Sequence, residues 1–300
     1  MTVRLSFKTS PQGVDWATLD ATWARAGELS APAFPGGFDG AWMNDHLVDF
    51  DPASPTGSLE AVSLLASLVH HVPGVRVGHA VLSNTFRHPV ITAKAAVVLD
   101  HATRGHFVLG LGAGWMESEH LPFGIPLPPL RERIDRLESA VAVIRLLWSD
   151  AAGTPEGVTR DDPFYPLAGA RALPLPFTPG GPPIFLGGQG PRGIALAARS
   201  AAGWLLPGTH AGNVEYFAEK RDEIRRALDV VGREPGGFEL IGQVVAGSDV
   251  ASRRAAREQS LAFIAAGATE VILGMTPALG PAGLDDIARE LLASLRDAAG

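Results

Sequence analysis

The chain has 300 residues, of which 46% are hydrophobic and 19% charged, a balance that excludes a disordered polypeptide. Its 25 Lys and Arg against 32 Asp and Glu are scattered and sum to −7, so there is no basic stripe for nucleic acid. The absence of cysteine excludes disulfides, thiolate nucleophiles and Cys-ligated metals, and no apolar run approaches the ~20 residues of a membrane span. The opening MTVRLSFKTS lacks the apolar core of a signal peptide. These features predict a soluble, cytoplasmic protein that binds neither nucleic acid nor membrane.

Strand-like and helix-like segments alternate along the chain. Strands are predicted over Val3–Thr9, Gly40–Asp45, Val75–Leu82, His106–Gly112, Pro183–Gly187, Gly203–Pro207, Phe238–Ala246 and Glu270–Gly274. Helices are predicted over Asp15–Leu29, Ser58–His71, Pro89–Ala102, Leu130–Trp148, Arg192–Ala201, Gly212–Val231, Ser252–Ala265 and Leu284–Ala298. The fourth helix reads most clearly, with Leu130, Ile134, Leu137, Val141 and Ile144 at helical spacing. Several strands are apolar almost throughout, as in a parallel sheet covered on both faces. Eight strand–helix pairs match a (β/α)8 TIM barrel of parallel strands, with a doubly wound open sheet as the competing fold. Residues 1–300 are read as a single domain. Two stretches break the rhythm: the Pro/Gly loop Ala31–Phe38, and an insertion after the fourth helix at about 149–182, rich in Pro, Gly and Asp.

In such a barrel chemistry sits where strands end. After the second predicted strand come Asp45 and His46. A histidine there can exchange a proton near neutral pH with Asp45 tuning it, or the pair can be a cap and a solvated side chain. His79, on the third strand, either points into the mouth or is a satisfied core histidine. The fourth strand runs into Gly110, Gly112, Ala113, Gly114 and Trp115, where missing side chains allow close approach of a planar ligand. Glu117, Glu119 and His120 follow with a spacing that matches no zinc motif, so no metal is assigned. After the fifth strand, Gly188-Gln189-Gly190-Pro191-Arg192-Gly193 spells GxGxxG at a helix start. A helix N-terminus offers free N–H groups to phosphate. A dinucleotide fold would also place an acid after the next strand, and Leu206-Pro207-Gly208-Thr209-His210 has none, so the turn reads as a phosphate cradle. Gln243 is a lone polar residue on the seventh strand, and Met275 and Thr276 stand at the exit of the eighth.

Taken in order, Ala41–His46, Ser83–Pro89, Gly110–Trp115, Glu119-His120, Phe123–Pro126, Arg131–Arg133, Pro183–Gly188 and Gly232–Pro235 resemble the luciferase-like monooxygenase superfamily. The pattern is most similar to its branch using coenzyme F420, a deazaflavin. It departs at Ala201-Ala202-Gly203-Trp204, where relatives often carry an Asp, and at Gly105-His106, where they carry Gly-Arg.

The resemblance implies a TIM barrel with the ring at its C-terminal mouth and phosphate on Gly188–Gly193. It places a non-proline cis peptide near Ala80–Val81 behind the ring, with Gly112, Ala113, Gly114 and Trp115 bordering it. His46 is then the proton donor or acceptor and Asp45 its modulator. The activity implied is hydride transfer between F420 and a small organic substrate, by a homodimer. FMN with oxygen as a monooxygenase is the alternative, and a non-catalytic flavin-binding barrel a third reading.

Overall fold

The structure, a computed structural model, describes residues 2–30, 33–34, 36–276 and 279–299. Of the Ala31–Phe38 loop, Ala31, Pro32 and Pro35 lie outside the described residues. The strands are β1 (Arg4–Thr9), β2 (Gly40–Met43), β3 (Arg76–His79), β4 (Leu82–Ser83), β5 (Phe107–Gly112), β6 (Val158–Arg160), β7 (Leu167–Ala170), β8 (Ile184–Leu186), β9 (Gly203–Leu205), β10 (Glu239–Ala246) and β11 (Glu270–Met275). The helices are α1 (Trp16–Glu28), α2 (Ala61–Leu68), α3 (Pro89–Ala102), α4 (Leu130–Leu147), α5 (Pro191–Ser200), α6 (Val214–Val230), α7 (Val250–Ala265), α8 (Gly280–Ile287) and α9 (Ala293–Ala299).

The sheet runs β3-β2-β1-β11-β10-β9-β8-β5, all parallel, and β3 also pairs with β5 through Val77–Phe107 and Gly78–Val108. That last pairing closes the barrel and removes the edges an open doubly wound sheet would have. Five helices begin on a side-chain cap, at Asp15, Glu60, His88, Asn213 and Asp249. The third predicted strand is split in two. Its Ala80–Val81 peptide is cis, where the resemblance implies one, and the chain resumes as β4 beside β5. Other differences concern segment ends and the insertion. The last predicted helix begins earlier, at Gly280, and passes through a π-turn at Ala288–Leu292. The 149–182 insertion is not a plain loop but carries the antiparallel hairpin β6–β7, fastened to α4 by the Ser139–Asp162 hydrogen bond.

Alternating strand residues fill the barrel. Trp42, Val108, Phe185, Leu205, Ile241 and Ile272, one from each of six strands, form a separate inner cluster. Below them Glu270 accepts from Ser6 Oγ, Trp42 Nε1 and Arg76, while Arg76 and Arg4 both hold Glu239. This ion-pair network closes the N-terminal end, next to a cavity of about 440 Å³ lined by Arg4, Asp39, Arg76, His106 and Phe107.

The other face of each strand packs under the helices, and His79 belongs there rather than in the mouth. Its Nε2 donates to the Ala61 carbonyl at 3.2 Å, its ring packs on Phe107, and burial lowers its pKa to about 4. The unfolded chain takes up a proton on this histidine near pH 6.5, whereas the folded chain does not. Stability contributed by the neutral ring is therefore complete above pH 6.5 and is lost as pH falls towards 4. The expected loss is up to about 3 kcal/mol over that window, and His79→Leu should remove this slope from a urea-denaturation series.

Candidate active site at the C-terminal mouth

Asp45 and His46 leave β2 side by side but face different partners. Asp45 is buried and receives a bidentate pair from Arg87, at 2.7 and 2.9 Å, and the Ser83 N–H at 2.8 Å. It thereby ties the end of β2 to β4. Arg87 also reaches Glu60, the cap of α2. Burial alone would raise the Glu60 pKa, but the Ser63 N–H and Arg87 outweigh it and hold it down at about 2. The group touching His46 is Glu119, whose two oxygens each lie 3.1 Å from Nδ1 and which also accepts the Leu47 N–H. The expectation that Asp45 tunes His46 is corrected accordingly: Arg87 and Ser83 use up its oxygens, and Glu119 takes the modulating place. With Nδ1–H donated to Glu119, the neutral ring keeps its free lone pair on Nε2. The edge of Phe50 (4.7 Å between centroids) and Trp115 (6.3 Å) flank the imidazole. Both are more than half exposed, so the rim flanking His46 is apolar.

The glycines of β5 serve the bulge beside them. A Cβ on Gly112 would stand 2.8 Å from Val81 Cγ2, and one on Gly110 would stand 1.9 Å from the His79 carbonyl. Gly187 likewise leaves room for Val81. The space a side chain at Gly112 would take is thus occupied by Val81. Gly114, at φ +76°, lies against Ser83 and Thr85. Its carbonyl accepts from Arg133. Glu117, Glu119 and His120 do not converge: His120 bonds the Met116 carbonyl and Thr85 Oγ1 while Glu119 goes to His46.

After β8 the chain turns through Gly188–Gly190 into α5. A Cβ on Gly188 would come within 3.0 Å of Gly193 Cα, and one on Gly193 within 3.1 Å of Gly188 Cα, so the turn and helix pack backbone to backbone. Trp204 Nε1 pins the Gly188 carbonyl at 2.7 Å, and Gln189 Oε1 accepts from Tyr216. Gly190 caps α5 without a side chain, and Pro191 at the first position has no N–H. The Arg192 and Gly193 N–H groups are left as free donors of the first turn. The Arg192 guanidinium turns away from the glycine loop and pairs with Asp135 on α4.

On the inner face of β1, Lys8 donates to Gln243 Oε1, and Gln243 donates to the Leu206 carbonyl. Burial lowers the Lys8 pKa to about 8. Its charge therefore destabilises the fold below pH 8, and the penalty fades as pH rises from 8 to 10.5, where the unfolded chain also loses the proton. Lys8→Met is expected to stabilise the ligand-free protein at pH 7 by up to about 3 kcal/mol and by little at pH 10.5. Chemical denaturation at the two pH values checks this.

The family model described as luciferase-like monooxygenase matches residues 3–292. The chain belongs to the luciferase-like monooxygenase family. This luciferase-like chain is 33% identical over 231 residues to a phthiodiolone/phenolphthiodiolone dimycocerosates ketoreductase of Mycobacterium sp. (strain JLS), covering 71% of the chain and 58% of the relative. It is 29% identical over 221 residues to an F420-dependent glucose-6-phosphate dehydrogenase of Kribbella flavida, covering 73% and 61%. The match thus spans about three fifths of each curated relative's length. Among solved structures, the F420-dependent tetrahydromethanopterin reductase of Methanopyrus kandleri superposes with a TM-score of 0.76 at 16% identity, covering 98% of this chain and 100% of that one. A monooxygenase of Streptomyces bottropensis superposes with 0.72 at 16%, covering 98% of each. These likenesses establish the barrel. Among the described residues no helix is long and apolar enough to cross a membrane, and no three His, Asp or Glu groups form a metal site.

Two features of the luciferase-like mouth escape a reading of the sequence. The Glu119–His46 pair joins loops 73 residues apart, which no local pattern shows. Lys8 does leave a local trace, as the one charged residue in Leu5–Thr9, on the same face as Ser6.

Proposed function

We propose that this chain is an F420-dependent oxidoreductase that moves a hydride between the deazaflavin and a small organic substrate, with His46 handling the accompanying proton. The observation carrying this reading is the Glu119-held His46 standing at the same end of the barrel as an uncapped glycine turn. The residues suit such a cofactor. The Gly188/Gly193 contact is closed to any Cβ, the first turn of α5 offers two free N–H groups, and an apolar rim suits a ring.

Bound there, F420 would supply the hydride. The Arg192 and Gly193 N–H groups would hold its phosphate, on the turn formed by Gly188, Gln189, Gly190 and Pro191. Ala80 and Val81 would back the ring, and Gly112, Ala113, Gly114 and Trp115 would border it. Trp115 and Phe50 would exclude water from His46. Nε2 of His46 would accept a proton from an alcohol or, protonated, give one to a carbonyl oxygen, while Glu119 stabilises the imidazolium and fixes the ring. Asp45 acts by fixing the backbone before His46. The reading includes one barrel domain over residues 1–300, working as a homodimer in the cytoplasm.

Support also comes from the F420-dependent enzymes among the relatives and structural neighbours. Monooxygenases stand among those neighbours too, which favours FMN as the second reading. A fluorescence titration of the purified chain with F420 and with FMN tests the assignment. Tight binding of F420 is the expected result. Preference for FMN would overturn it in favour of oxygen chemistry, and binding of neither would remove both.

A further inference from the structure

Lys8 is a part-buried cation on the inner face of the barrel that the proposed reaction leaves without a role. It stands one pleat above Ser6 on the inner face of β1, and its stem crosses β11 at Gly274, where an added Cβ would lie 3.5 Å from Lys8 Cε. An ammonium has three hydrogens to donate. Among the described residues Lys8 has a single protein acceptor, the neutral Gln243 amide, which is itself oriented by the Leu206 carbonyl. The two acids inside the barrel are taken: Glu270 by Ser6, Trp42 and Arg76, and Glu239 by Arg4 and Arg76. Burial is the cause of the fall in its pKa. A desolvated charge without a counter-ion costs stability, and an anion entering the mouth would offset that cost.

Position says which anion. From β1 the Lys8 ammonium reaches past β11 to Gln243 on β10, and in the closed ring β11 and β10 lie opposite β5 and β3, so it stands across the mouth from the β3–β5 wall, with His46 following β2 next to β1. A ring lying against the β3–β5 wall leaves the space between it and Lys8 to the substrate. We propose that Lys8 Nζ is the anion subsite of the mouth, taking a carboxylate or phosphate oxygen of the substrate beside His46. The placement of the substrate rests on the F420 reading; the anion site itself does not. An acidic group held at Lys8 anchors the substrate from the side opposite the ring, and selects acidic substrates over neutral ones of the same shape.

The test is calorimetric titration of acetate and of inorganic phosphate into the full chain, free and F420-loaded, for the wild type, Lys8→Met and Lys8→Arg. The expected result is 1:1 binding of one of the two probes by both forms of the wild type. Lys8→Met should weaken it about 10- to 100-fold and Lys8→Arg should retain it. The F420 affinity of Lys8→Met, read by fluorescence, should change less than about threefold. Probe binding by Lys8→Met equal to wild type would overturn the proposal. So would a tenfold loss of F420 affinity, which would assign the ammonium to the ring. Should F420 not bind at all, the preceding reading fails, while the free-chain titration still decides for or against Lys8.

Discussion

Replacing His46 by alanine is expected to lower kcat/KM about 10²- to 10⁴-fold for any substrate the F420-loaded enzyme turns over, with F420 affinity left within about threefold. The imidazole presents a free nitrogen at the mouth, its other nitrogen being held by both Glu119 oxygens. Hydride transfer to a carbonyl leaves an alkoxide that needs a proton, and the reverse reaction needs a base. Without the ring that proton must come from water, across a rim built of Phe50 and Trp115. Glu119→Gln keeps the ring in place and removes the negative charge that stabilises the imidazolium. Its expected loss is about 10- to 100-fold. Undiminished turnover by His46→Ala would remove the acid–base role and with it the importance of Glu119.

The largest structural effect is expected at Arg87. Arg87→Met leaves the buried Asp45 carboxylate with the Ser83 N–H as its remaining hydrogen bond and takes away its bidentate partner. Removing one partner of a buried pair costs about 3–5 kcal/mol, because the other charge stays desolvated. Glu60→Gln touches the same arginine from a side chain that is 43% exposed, and should cost under about 1 kcal/mol. Urea denaturation of the two variants separates the cases. A loss below 1 kcal/mol for Arg87→Met would mean that Asp45 finds water or another donor. In that event it could not be the fixed anchor between β2 and β4.

The eight-stave barrel was legible because each stave is a short apolar run followed by a helical period, and a parallel sheet needs both. The turn at Gly188–Gly193 was legible for a local reason too, as the glycines, the proline at the helix start and the missing acid after Leu206 all lie close in sequence. Contacts between loops were not legible. Asp45 neighbours His46 along the chain yet points to Arg87, while Glu119 reaches the imidazole from beyond β5. Arg192 likewise turns from the glycine loop to Asp135, on a helix whose facing side chains the sequence does not reveal. The glycines of β5 carried a true signal with a nearer cause, since Gly110 and Gly112 make room for the bulge at Val81. The β6–β7 hairpin escaped because its strands are three and four residues long and half exposed.

The central claim is that the cofactor sits at the C-terminal mouth, with its phosphate on the turn after β8. The barrel has a second concavity, the cavity of about 440 Å³ beside Arg4, Arg76 and His106 at the opposite end. Its arginines are already paired with Glu239 and Glu270, which leaves them little to offer an anion. A crystal structure of the F420 complex discriminates the two ends most directly. The phosphate is expected within hydrogen-bond distance of the Arg192 and Gly193 N–H groups, the ring against Ala80–Val81, and His46 Nε2 facing the reacting edge. A deazaflavin in the N-terminal cavity, or one in the mouth with its phosphate away from α5, would contradict it.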